Sequence, residues 1–171
     1  MNQRRAIPIQ YRVASFNQPL NNWNTSKVTN MNYMFTRAAS FNQPLNNWDT
    51  SNVTWMTGMF KGATNFNQSL NNWNTSKVTI MKEMFNDAAA FNKSLNSWNT
   101  SKVSNMSDMF NGASTFNQPL NNWNIPNVTD MGKIFLNSGL QKDNYCILFT
   151  GAYASVWTTY KSILGVSYTC P

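Results

Sequence analysis

Apolar residues return along this chain every 25 positions. Phe16, Phe41, Phe66, Phe91 and Phe116 are each followed by Asn. The same step carries Leu20, Leu45, Leu70, Leu95 and Leu120, then Trp23, Trp48, Trp73, Trp98 and Trp123. Columns beginning at Val28, Met31, Met34, Phe35 and Ala38 follow, and no insertion or deletion breaks the register over residues 16–135. A fixed period of this length marks a repeat architecture, in which each unit buries its apolar face against its neighbours. Within one unit, Val28, Met31, Met34, Phe35 and Ala38 fall at the spacing of a short amphipathic helix of about ten residues, 28–38. Thr25, Ser26 and Thr29 stand where they can cap its first N–H groups. Residues 17–22 are too few for a helix and carry one inward residue, Leu20, which predicts a short strand or extended stretch. Pro19, Pro44 and Pro119 either limit that strand to two or three residues or offset it from this position, since proline cannot donate to a ladder.

These elements predict an α/β fold: a leucine-rich-repeat-like solenoid with one short strand and one short helix per 25-residue coil. Strands stack about 4.8 Å apart and helices about 8–10 Å apart, so the stack is expected to bend with its strands on the concave side. Residues 1–15 are expected to form a half-repeat cap, because Ala6, Ile9 and Val13 share the register of Met31, Met34 and Ala38, although Pro8 interrupts it. Residues 16–140 make the five repeats. Residues 141–171 form an aromatic cap, helical over much of 144–165 and broken near Gly151. Cys146 and Cys170 both lie in that cap, where a disulfide would pin the tail; two buried thiols are the alternative. The Asn17 and Asn21 columns recur in every unit and are expected to form ladders of side-chain amides that bond turn backbone. A sugar- or ice-binding array is the competing use.

Composition narrows the chemistry. The chain has 171 residues, 42% of them hydrophobic, and no apolar run approaches the length needed to cross a membrane. Arg4 and Arg5 are not followed by an apolar segment, so no secretory signal peptide is expected. There is no histidine, which removes the commonest general base and metal ligand. Glu83 and Asp108 share one column, expected to face solvent on the helix. No phosphate-binding glycine loop and no acidic calcium loop is present. Catalysis, cofactors and metals are therefore not expected, and the methionine columns are expected to be core rather than copper or haem ligands. Several Asn-x-Ser/Thr triplets, such as Asn24-Thr25-Ser26, follow from turn chemistry and need no glycan. The net charge of +7 favours anionic partners. Lys27, Lys77 and Lys102 share a column, and Arg4, Arg5 and Arg12 cluster near the start. Nucleic acid is disfavoured, because the aromatic residues are core columns rather than free stacking platforms. A protein partner, the subunits of an assembly, or an anionic glycan fits better.

The unit over residues 16–38, with its Trp-x-x-Ser-x-Val-x-x-Met-x-x-Met-Phe spacing, resembles the BspA-like repeat of surface proteins. That repeat is a variant leucine-rich repeat, also described in Mycoplasma lipoproteins. The resemblance covers about residues 16–148; the last copy departs from it with Pro126 in place of Ser. It implies a cell-surface, extracellular or virion protein that works in adhesion and binding, and it brings no catalytic residues. The tail from Tyr145-Cys146 to Cys170 also resembles tails of family members from large DNA viruses of algae and protists.

The expected function is a non-catalytic module for adhesion or protein–protein interaction. A structural component of a virion or surface layer is the alternative, with glycan or ice binding a weaker one. The site is sought where copies differ. Asn32-Tyr33 becomes Thr57-Gly58, Lys82-Glu83, Ser107-Asp108 and Gly132-Lys133, and the column of Asn30 reads Trp55, Ile80, Asn105 and Asp130. Candidate partner-binding residues are therefore Trp55, Ile80, Tyr33 and Lys82, together with Arg4, Arg5 and Arg12.

Overall fold

The computed structural model describes residues 14–147 together with 154, 155 and 158. Its organising feature is a segment of each unit that bonds sideways to the next. The N–H groups of Met31, Tyr33, Phe35 and Arg37 donate to the carbonyls of Trp55, Thr57, Met59 and Lys61, at 2.6–2.9 Å. The same pattern repeats from Met56, Gly58, Phe60 and Gly62 into the third unit, and onward to the fifth. Parallel bridges join Asn30 to Trp55, Trp55 to Ile80, Ile80 to Asn105 and Asn105 to Asp130. Thr54, Thr79, Ser104 and Thr129 return an N–H to the unit before.

The segment is not a helix. Its remaining N–H groups close four-residue turns: Met34 to Met31, Thr36 to Tyr33 and Ala38 to Phe35. Residues at the positions of Tyr33 and Arg37 take positive φ in every unit, with Tyr33 at 58° and Arg37 at 60°. A residue in the left-handed region cannot continue a right-handed helix. It turns the next N–H out of the turn and toward the neighbouring unit. Among the described residues, the one helix with defined bounds is α1, Lys142–Ile147, and the strand pairing is confined to isolated bridges. The expected α/β solenoid, with a strand and a helix in each coil, is thus overturned. Overlapping turns place Met31, Met34, Phe35 and Ala38 on one side much as a helix does, which is why the spacing pointed to one. The strand expected at residues 17–22 is absent too, and the bridges form at residue 30 instead. Thr25 does not cap a helix. Its hydroxyl, like those of Thr50, Thr75 and Thr100, is buried and donates to a carbonyl of the following unit at 2.7–3.1 Å.

The core sits inside the turns as columns of like side chains. Phe35, Phe60, Phe85, Phe110 and Phe135 stack with centroids 5.4–5.9 Å apart, and the Phe16 column does so at 5.7–6.1 Å. Trp23 stacks on Trp48 at 6.1 Å and Trp73 on Trp98 at 6.4 Å. Unit spacing is therefore similar along three sides, and the mismatch expected to bend the stack is missing. Trp48, Trp73 and Trp98 are buried, as their place between copies predicted, and so is Trp123 at the end of the column. Each buried indole N–H donates to the leucine carbonyl of the unit before, at 2.9–3.2 Å. At the proline-bearing corner side chains replace the missing backbone ladder. Asn17, Asn42, Asn67 and Asn92 each accept the N–H of the asparagine one unit on, at 2.9–3.0 Å. The Asn21 column is less regular, with Asn46 and Asn96 accepting from Asn72 and Asn122.

Asn117 ends the first ladder by accepting the N–H of Gln141 and the amide of Asn144. These residues and buried Tyr145 carry α1 across that end of the core, and burial pushes the Tyr145 phenol above its usual value. Gly139 is required there, since a Cβ would lie 2.4 Å from the Ser114 carbonyl oxygen. Of the N-terminal cap expected over residues 1–15, residues 1–13 lie outside the described residues, as does the expected C-terminal cap beyond α1, apart from residues 154, 155 and 158.

One corner shows the cost of a single departure from the repeat. Asn24, Asp49, Asn74 and Asn99 each accept the N–H of the serine two residues on. Pro126 replaces that serine in the last unit and has no N–H, and Asn124 Oδ1 is buried without a partner. Pro126→Ser should therefore raise stability in urea unfolding by about 1 kcal/mol, the orphaned acceptor outweighing the lost proline rigidity. A second prediction separates the turns from a helix by its sign. Lys133 is exposed with φ of 57°. Lys133→Gly should stabilise by about 1 kcal/mol, because glycine enters the left-handed region without strain. In a helix the same change would destabilise by about 1 kcal/mol.

Candidate functional interface

The internal ladders use up two of the expected binding arrays. The threonine column is buried and bonded, so it offers no hydroxyls to ice. The first asparagine column presents its amide oxygens to neighbouring backbone rather than to a sugar. Exposed positions that differ between copies remain, and they cluster along residues 30–37 of each unit.

Trp55 is 46% exposed. The bridge to Ile80 sets the two side by side, one unit apart, with Ile80 half-buried. Their column is polar elsewhere, with Asn30, Asn105 and Asp130. Tyr33, 36% exposed, lies three residues past the bridge. Its ring covers Gly58, where a Cβ would lie 2.7 Å from Tyr33 Cδ1. Glycine at 58 therefore gives that ring its seat and also meets the positive φ of 55°. Lys82 is half-buried and lies 3.9 Å from Glu83, which also pairs with Lys61. The structure thus joins Trp55 to Ile80 directly, and sets Tyr33 and Lys82 along the same bonded segment. Arg4, Arg5 and Arg12 lie outside the described residues. Cys146 is half-buried against the core and disulfide-bonded, while Cys170 lies outside the described residues.

Asp49, Glu83, Asp108 and Asp130 are held by neighbours. Asp108 Oδ1 accepts from the Asn111 amide at 2.9 Å, and Asp130 accepts from Gly132 and Asn105. Glu83 and Asp108 are half-buried at left-handed turn positions, where a solvent-facing helix was expected. The Asp49 carboxyl is held below its usual value, chiefly by the hydroxyl and N–H of Ser51. One exposed aromatic was missed from sequence. Trp23 belongs to the core column yet is 49% exposed, because it is the first tryptophan in the stack. No helix among the described residues is long and apolar enough to cross a membrane.

Turn-rich units joined edge to edge, with outward residues that vary between copies, define a repeat protein. The chain belongs to the family described as Mycoplasma protein of unknown function, DUF285, whose model matches residues 9–78 and 45–146. No curated protein and no solved structure matches it.

If Trp55 is surface and Trp73 core, the two should respond differently to truncation. Trp55→Ala is expected to move unfolding stability by no more than about 0.5 kcal/mol. Trp73→Ala is expected to cost about 3–5 kcal/mol.

Proposed function

We propose that this protein is a non-catalytic binding module that engages a protein partner through the outward face of residues 30–37 and their repeats, centred on Trp55 and Ile80. The observation that carries this reading is Trp55, a large aromatic held in the open beside an isoleucine in an otherwise polar column. Buried aromatic anchors dominate binding energy at protein interfaces, and charged residues are depleted at their centres. Tyr33 extends the apolar surface and Lys82 supplies a polar rim. The resemblance to BspA-like surface repeats supports adhesion as the setting. A role as a packing subunit of a virion or surface layer would use the same face against other copies.

The test is affinity capture from the native source with the full chain, comparing wild type with Trp55→Ala/Ile80→Asn. The reading predicts a protein captured by the wild type and reduced at least tenfold by the variant, with thermal unfolding near that of wild type. Equal capture by both would move the interface elsewhere. Self-association of the wild type, lost in the variant, would favour the packing role.

A further inference from the structure

The chain contains eight Asn-x-Ser/Thr triplets, and turn chemistry is reason enough for their recurrence. The structure divides them by what each asparagine amide does. In five the amide is committed to the stack. Asn52 and Asn127 donate from Nδ2 to the carbonyls of Ser26 and Ser101, at 2.9 and 2.7 Å. Asn105 donates from Nδ2 to Asp130 at 3.1 Å. Asn67 and Asn92 are half-buried rungs of the asparagine ladder, accepting the N–H groups of Asn92 and Asn117. A sugar on any of these nitrogens would break or crowd a contact between two units.

The other three, Asn24, Asn74 and Asn99, share one column and are exposed. Each Oδ1 accepts the N–H of the serine two residues on, and each Nδ2 bonds to no described residue. In the first and fourth units the hydroxyl of that serine also donates to Oδ1, at 2.7 Å. The amide is thus held by its oxygen, and its nitrogen makes no bond that a sugar would displace. The two remaining units lack the triplet at this corner: Asp49 has no amide nitrogen, and Asn124 is followed by Ile125-Pro126. The disulfide at Cys146 adds the setting. Disulfides persist in oxidising compartments, and secreted chains are those whose Asn-x-Ser/Thr triplets serve as glycan acceptors.

We propose that Asn24, Asn74 and Asn99 are attachment sites for N-linked oligosaccharides. The co-reactant is a lipid-pyrophosphate-linked oligosaccharide, and a transferase of the producing cell joins the two. Nδ2 bonds to the anomeric carbon of the first sugar and gives up one proton. The bond from that carbon to the pyrophosphate oxygen breaks, and the lipid pyrophosphate leaves with the electron pair. The sugars then stand along one corner of the stack, in the first, third and fourth units. This site goes beyond the Trp55–Ile80 interface and does not depend on it.

The test is tandem mass spectrometry, with electron-transfer fragmentation, on peptides of the full chain purified from its native source. The expected result is a mass increase of whole hexose or N-acetylhexosamine residues on one or more of Asn24, Asn74 and Asn99, with unmodified asparagine in the other five triplets. Unmodified asparagine at all three would overturn the proposal, and so would a sugar on Asn52, Asn67, Asn92, Asn105 or Asn127.

Discussion

A peptide N–H or C=O taken out of water must find a partner, and along residues 30–37 and their repeats alternate N–H groups find it in the next unit. Between the second and third units, Met56, Gly58, Phe60 and Gly62 donate forward, and Thr79 donates back. Everything else is arranged so that this exchange can recur at each 25-residue step. Side chains bring the columns into register, and side-chain amides and hydroxyls serve the corners where the backbone cannot. The asparagine ladder is the clearest case, since it runs past prolines that would have broken a backbone ladder.

Sending alternate N–H groups sideways has a local cost. Two residues in every unit adopt the left-handed region, at about 1–2 kcal/mol each for residues other than glycine. Sideways hydrogen bonds at about 0.5–1.5 kcal/mol apiece, with the burial of phenylalanine, methionine and tryptophan columns, offset that strain. Neither contribution exists without a neighbouring unit. Cooperation between units follows, and so does the exposure of Trp23 in the first unit.

Much of this was legible in the sequence. The period, the core columns, the burial of Trp48, Trp73 and Trp98, and the first asparagine ladder all follow from spacing. The local conformation did not, because three overlapping turns and a helix give apolar residues nearly the same periodicity. The discriminating signal lay in the column Arg37, Gly62, Asp87, Gly112 and Asn137. Glycine, aspartate and asparagine are the residues that tolerate positive φ, and their recurrence at one position marks a turn rather than a helix. The column of Tyr33, Gly58, Glu83, Asp108 and Lys133 hides the same conformation, since three of its members are not turn formers. The candidate interface was half visible. A column places Trp55 beside Ile80, whereas the exposure of Trp23 depends on what lies before the first unit, which a column cannot show.

Whether alternate amides bond forward by one unit can be observed directly by NMR, through scalar couplings carried across hydrogen bonds in isotope-labelled protein. The account predicts couplings from the amide nitrogens of Met56, Gly58, Phe60 and Gly62 to the carbonyl carbons of Ile80, Lys82, Met84 and Asn86. Couplings from those amides to carbonyls four residues earlier in their own unit would mean that the segment is helical and would contradict it.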